Sequence, residues 1–387
     1  MKILVLPSWY LPSGAYFIKE QVLFLQERGL QVDVLSNLEV SITEHRTEYL
    51  TLPWKAFVAN EDGILTYRGF TRFIPKSEKL NIHRWVTNTL KLFDKYIDEQ
   101  GRPDFIHVHS AMWGGLVAAL IKERYGIPYV ITEHLGIMAL QSDFARNQFP
   151  VWKNPFFEKA YQNADFVVPV SAQLMRKISE FAPQQKNWQA IPNIVDTDFF
   201  YFKKRERKHP FHFVCVNGYY EEKGYDILLQ AFNEFCENYP SVNLTIAGEN
   251  FENPRFQEIL NLCKNKQKII FTGEINREQV RDLLWSADAF LLSSRVESQS
   301  IAALEAMSTG LPLVCTEVVP EFMTPDYCGF RVPIENPASF AEAMGRMVNQ
   351  IESFDGLKIS NHIRREAHKD VIIEKIIGVY RQILLHK

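Results

Sequence analysis

The chain has no apolar run near the roughly 18 residues that a membrane-spanning helix needs. It has no G-x-G-x-x-G, which disfavours a dinucleotide-dependent oxidoreductase, and no G-x-x-x-x-G-K-[ST], which removes the P-loop NTPases. Cysteine is scarce: Cys215, Cys236, Cys263, Cys315 and Cys328 are odd in number and lack C-x-x-C spacing. Neither a disulfide framework nor a zinc knuckle is indicated, and the five read as reduced core residues. Excess charge is also lacking. A formal net charge of −3 gives no general electrostatic grip on nucleic acid. Short-period repeats and low-complexity tracts are absent. The opening apolar run, Ile3 to Leu6, is too short for a signal peptide and is closed by Pro7. The expected location is therefore the cytoplasm. What is present is length, 387 residues with 46% apolar, enough for two domains of ordinary size.

One stretch organises the rest. Ala289-Phe290-Leu291-Leu292 is a short apolar run with polar flanks and reads as a buried strand. An alanine-rich helix follows, with Gly310 as its stop and Pro312 just beyond. Between them lies a polar elbow, Arg295 to Ser300. Ligands of open α/β sheets bind at the carboxyl ends of strands, and the first N–H groups of a helix favour an anion. Two glutamates frame this place, Glu297 in the elbow and Glu305 eight residues on. At helical rise that interval is about 12 Å, the span from a hexose to a ribose on either side of a pyrophosphate.

Around this centre the chain alternates strands and helices, so the fold class is α/β. Residues 2–6 form a first strand, a loop from Pro7 to Ala15 carries Gly14, and a helix ends near Gly29 before the strand Gln31–Leu35. Gly14 allows close backbone approach to a phosphate. In residues 40–100, Ile82, Trp85, Val86, Leu90, Phe93 and Ile97 recur at helical spacing, with Arg68, Arg72, Lys76, Lys79 and Arg84 nearby. Two readings stand: a helix packed on its own core, or peripheral contact with an anionic membrane surface. Phe105 to His109 alternates, which puts His107 and His109 on one face. With Glu133 and His134 they have no recognised metal-ligand rhythm, and no metal site is expected. Ser171 is placed to cap a helix. Asp196-Thr197-Asp198 imitates a metal-binding Asp-x-Asp but sits in a linker, as turn and cap residues. The charged run Lys203 to His209 reads as solvated linker.

Glu297 and Glu305, with Glu-Ala-Met at 305–307 and Gly-Leu-Pro at 310–312, resemble the glutamate-seven-residues-glutamate motif of the retaining glycosyltransferases of family 4. The resemblance spans nearly the whole chain, with residues 40–100 outside it. It implies a GT-B fold: two Rossmann-like domains facing across a cleft, and a C-terminal helix returning to the first. The expected boundaries are residues 1–195, completed by 371–387, on the acceptor side, and 196–370 on the nucleotide-sugar side. It also implies anomeric retention, no metal or other cofactor, and a UDP- or GDP-sugar as donor.

The same resemblance assigns roles. Gly14 lies over the donor diphosphate, and His134, at a strand end, is an active-site histidine. Lys223, followed by Gly224, matches the diphosphate-binding lysine. Gly218 stands at the position of the family's arginine, so one expected cation is missing and Arg295 is a candidate replacement. Ile275 closes the segment that reads the base, and the amides around Ser298, Gln299 and Ser300 hold phosphate. Glu305 accepts from the ribose and Glu297 grips the sugar. Loss of Lys223 or Glu297 is expected to abolish transfer with little change in melting temperature. The loop Glu317-Val318-Val319-Pro320-Glu321 lacks the family's glycine pair.

The expected function is transfer of a sugar to a glycan or lipid-linked glycan, which admits peripheral contact at the inner membrane face. The competing readings are an epimerase or phosphorylase of the same architecture, and an inactive GT-B-like partner protein, motivated by Gly218 and Val318-Val319.

Overall fold

The computed structural model describes residues 1–11, 16–42, 46–134, 151–205 and 210–385. The chain divides into two compact units, Met1–Pro192 with Ile373–Lys387, and Asn193–Ile372.

The first unit is built on seven strands, β1 (Lys2–Pro7), β2 (Gln31–Ser41), β3 (Phe57–Glu61), β4 (Ile64–Phe73), β5 (Phe105–His109), β6 (Tyr129–Glu133) and β7 (Phe166–Pro169). Their order is β3-β4-β2-β1-β5-β6-β7, parallel except for the β3–β4 hairpin. Parallel sheets need cover on both faces, and β5 shows how it is divided. Ile106 and Val108 enter the main core, whereas Phe105, on the other face with His107 and His109, meets Tyr380 of the terminal helix Lys369–Leu385 in a tilted contact with ring centroids 4.5 Å apart.

Residues 40–100 contain the longest helix of the unit, Glu78–Gln100, and its apolar stripe packs inward: Ile82, Trp85, Val86 and Phe93 are core residues, with Leu90 and Ile97 against them. Two of the nearby cations are interior as well. Arg68 is buried and bonded to Glu61 and to the Leu11 carbonyl, while Arg72 is buried among the carbonyls of Tyr49, Leu52 and Pro53 beneath the Trp54 ring. This stripe therefore serves the core, and the reading of it as a membrane face gives way. No described helix is long and apolar enough to cross a membrane.

The second unit has six parallel strands, β8 (Phe211–Val216), β9 (Val242–Ala247), β10 (Ile269–Gly273), β11 (Ala289–Leu292), β12 (Leu313–Thr316) and β13 (Gly329–Val332), in the order β10-β9-β8-β11-β12-β13. Strand β11 is central and wholly buried. Ala289 and Leu291 point into one core, Phe290 and Leu292 into the other. That double burial is why the sequence there is uninterruptedly apolar. The helix after it, Ile301–Ser308, buries Ala303, Leu304, Ala306 and Met307, and Gly310 follows with φ +89°, a left-handed stop that suits glycine.

Smaller expectations met mixed outcomes. All five cysteines are free and buried, and burial pushes their thiols up, Cys215 to about 11 and Cys315 to about 12. Asp196 does cap its turn, accepting from the amides of Asp198 and Phe199. Ser171 occupies the cap position of the helix Ala172–Phe181, but its hydroxyl makes no cap bond. Arg205 is not simply solvated, because it donates to the carbonyls of Leu284 and Thr309.

Candidate active site

The elbow after β11 is fastened to the loop after β8 at four points. Ser293 Oγ donates to the Lys223 carbonyl (2.8 Å), and the Arg295 amide to that of Glu222 (2.7 Å). Arg295 Nη1 donates to the Glu221 carbonyl (2.8 Å), and Lys223 Nζ to Glu297 Oε1 (2.8 Å). Gly224 makes the approach feasible. It has φ +65°, and a Cβ there would lie 2.3 Å from the Ser293 carbonyl oxygen, so no other residue fits. Sequence spacing places Lys223 and Glu297 in separate motifs; the fold joins them as an ion pair.

That pair is largely interior, with side-chain exposure of 22% for Lys223 and 5% for Glu297. Burial alone would lower the ammonium's affinity for its proton, but the adjoining Glu297 carboxylate more than offsets this, and Lys223 is held above its ordinary range. Ser294, fully buried, donates to the same Oε1 at 2.7 Å, while Thr316 Oγ1 donates to the Ser294 carbonyl at 2.6 Å. Both side-chain donors thus converge on one oxygen of Glu297, and Oε2 accepts none among the described residues. Ser294 and Thr316 escaped the sequence reading because a serine and a threonine near strand ends carry no spacing signal.

Because Glu297 is buried and Ser294 alone cannot neutralise it, removing Lys223 leaves an uncompensated carboxylate. Loss of Lys223 is therefore expected to lower the melting temperature rather than spare it.

The other expected residues fall out unevenly. Arg295 is committed to Asp226 (2.6 Å) and Glu335, so its guanidinium serves the framework rather than standing as a spare cation. Gly218 adjoins Glu249. A Cβ at Gly218 would be 2.8 Å from Glu249 Cγ and 3.1 Å from the Tyr220 ring, so the missing arginine has no room as the loop stands. Ser300 caps the helix Ile301–Ser308 by accepting from the Ala303 amide, and Ser298 lies in the non-helical elbow before it. Gln299 is buried; its Oε1 accepts from the Asn193 amide, and its Nε2 finds no hydrogen-bond partner among the described residues. Glu305 is half-buried on the helix. Since helix begins only at Ile301, the interval from Glu297 to Glu305 is not a run of helical rise, and the 12 Å estimate does not apply. Ile275 follows β10, half-buried, just before the boxed cap Asn276–Gln279. Val319 is fully buried, and Arg331 holds its loop through the carbonyls of Glu317 and Val319.

In the first unit, His134 follows β6, and its Nε2 lies 2.9 Å from His109 Nδ1. Its amide donates to Glu133 Oε1 (2.9 Å). Glu133 is a buried carboxylate that also accepts from Ser110 Oγ, the Ala111 amide and Tyr161 OH, at 2.6–2.8 Å. Ser110 has φ +70°, an uncommon conformation for a non-glycine residue and one often met beside functional sites. Gly14 lies outside the described residues. Among those described, no group of three or more acidic, histidine or cysteine side chains could hold a metal ion. Cavities of about 570 and 380 Å³ lie at the amino ends of the second sheet's strands, the edge opposite the elbow.

Two family models match the chain, Glycosyltransferase Family 4 over residues 15–199 and Glycosyl transferases group 1 over 196–367. The stretch 40–100, expected to fall outside, lies within the first. A Bacillus subtilis protein named for a glycosyltransferase step in teichuronic acid biosynthesis, TuaC, is 27% identical over 340 residues, covering 82% of this chain and 81% of that protein. The fold matches sucrose-phosphate synthase from Thermosynechococcus elongatus over the full length of both chains, with a TM-score of 0.82 at 17% identity. It also matches Anabaena HepE in complex with UDP-glucose (TM-score 0.74, 13% identity, 99% of this chain and all of that one). With both sheets, the terminal helix and both family models in agreement, the chain has the GT-B fold and belongs to the retaining glycosyltransferases of family 4, group 1, which use nucleotide sugars.

Proposed function

We propose that this enzyme transfers a hexose from a nucleoside-diphosphate sugar to a glycan or lipid-linked glycan during polysaccharide assembly. The Lys223–Glu297 pair carries the reading. It sits where β11 ends, four residues before a helix whose leading N–H groups favour an anion. A departing diphosphate needs preorganised positive charge, and loss of one such donor costs about 10²–10³ in rate. Lys223 supplies that charge, Glu297 orients the sugar through Oε2, and Glu305 accepts from the nucleoside's ribose. His134 is the active-site histidine of this reading, and Ile275 and the amides of Ser298–Ser300 complete the donor contacts. HepE, solved with UDP-glucose, and TuaC, named for teichuronic acid biosynthesis, support a UDP-hexose donor and a glycan acceptor as first candidates.

A panel of UDP- and GDP-sugars, assayed for hydrolysis and for thermal protection, tests this. One donor is expected to stabilise the protein and be turned over, and Glu297→Gln should abolish turnover. A protein that binds no nucleotide diphosphate would overturn the reading in favour of a non-catalytic partner. Donor turnover to an epimer without any acceptor would favour the epimerase.

A further inference from the structure

We infer that His109 is a positioning residue for His134, holding that ring with its proton on Nδ1 through a buried column of rings that reaches Tyr380 in the terminal helix. The inference rests on the active-site role proposed above for His134. The column lies entirely within the first unit. His107 and His109 stack at 4.5 Å on one face of β5, and His109 and His134 lie nearly parallel at 5.2 Å, with an interplanar angle of 14°. Phe17, from the helix Tyr16–Glu27, covers His134 at 4.8 Å.

Proton positions follow from the donors. Gln21 Nε2, which can only donate, reaches His109 Nε2 (3.4 Å), so that ring nitrogen presents its lone pair. His107 is held at both ring nitrogens, Nδ1 lying 2.6 Å from Tyr380 OH and Nε2 2.7 Å from Thr132 Oγ1. His109, bare at Nε2, carries its proton on Nδ1 and gives it to His134 Nε2 at 2.9 Å. His134 is left with Nδ1–H as its donor edge. A second proton on His109 would set an N–H against the Gln21 amide. Burial also opposes it: His109 is held well below the ordinary histidine range, and His107 is brought down to about 3.

Histidine-selective ¹⁵N NMR of the full chain reads the tautomer directly. His134 should show a protonated Nδ1 and a bare Nε2 at neutral pH, and the opposite tautomer in the unsubstituted protein would overturn the inference. Two variants add a kinetic reading. Asparagine at 109 carries an amide close to the Nδ1 position, whereas glutamine reaches toward Nε2. With the bond to His134 kept, His109→Asn should stay within about threefold of the parent kcat; His109→Gln should lose about tenfold in kcat with donor KM unchanged, the worth of one hydrogen bond. Equal kcat for the two variants would count against the positioning role. Full turnover by His134→Ala would refute the role given to His134 while leaving the NMR result for the column standing.

Discussion

The Lys223–Glu297 pair should respond asymmetrically to loss of its two members. Lys223→Met removes the cation and leaves Glu297, whose side chain is 5% exposed, with Ser294 Oγ as its one remaining side-chain donor. Breaking a fully buried pair costs about 3–5 kcal/mol. Lys223 is 22% exposed, so water can enter the vacated space and the lower figure of about 2–3 kcal/mol applies. For a domain of about 150–250 residues this lowers the melting temperature by about 4–12 °C. Glu297→Gln keeps an acceptor oxygen for Ser294 and Lys223 and leaves the more exposed partner charged, so its cost is about 1 kcal/mol or less. Both variants should lose turnover by at least about 10². Thermal denaturation beside a donor-hydrolysis assay measures both effects. The pair's pH dependence has a definite sign. The folded state raises the lysine above its unfolded 10.5, so the contribution is complete below pH 10.5 and fades as pH rises through the folded value. Equal melting temperatures for the two variants, with turnover lost in both, would refute the claim that Lys223 compensates a buried charge.

Arg295→Leu should lower stability by about 1 kcal/mol, because its partners Asp226 and Glu335 are about half exposed, and should leave donor affinity within about twofold. A large loss of affinity by calorimetry would restore Arg295 as a phosphate ligand. Ser294→Ala removes a charge-assisted bond from Glu297 and should lower kcat about tenfold, with the conservative Ser294→Thr recovering part of it. Gly218→Arg alone should destabilise the loop. Combined with Glu249→Ala, which clears the 2.8 Å clash, it should tighten UDP binding about tenfold, and unchanged affinity in the double variant would remove the diphosphate from that side of the loop.

Much of the fold was legible because its signals are local. The apolar run of β11, the alanines of the following helix and the stop at Gly310 each follow from nearest-neighbour chemistry, and each stands where expected. The site was legible as a set of positions but not as contacts. Nothing in the spacing of Lys223 and Glu297, 74 residues apart, announces an ion pair, since it depends on the close approach at Gly224. In the region 40–100 the core-packed helix was legible, but the burial of its neighbouring cations was not. Arg68 and Arg72 read as surface charges, yet a guanidinium that meets Glu61 or three carbonyls can be buried, and composition does not reveal such partners.

Two glutamates, Glu133 at the end of β6 and Glu297 in the elbow after β11, contrast a structural carboxylate with one proposed to bind substrate. Glu133 ends β6 with both oxygens occupied, Oε1 by Ser110 and the His134 amide, Oε2 by the Ala111 amide and Tyr161. A buried anion so fully bonded is stable where it is, and it ties the turn after β5 to the turn after β6. Glu297 is nearly as buried, but its side-chain bonds fall on Oε1 alone. Oε2 is not one of the buried side-chain atoms left without a partner, so it keeps access to solvent and to a ligand. The same glutamate in a sequence is either of these. The difference lies in how many donors the surrounding loops deliver and to which oxygen, and that criterion suits Glu297 to the sugar-binding role proposed for it.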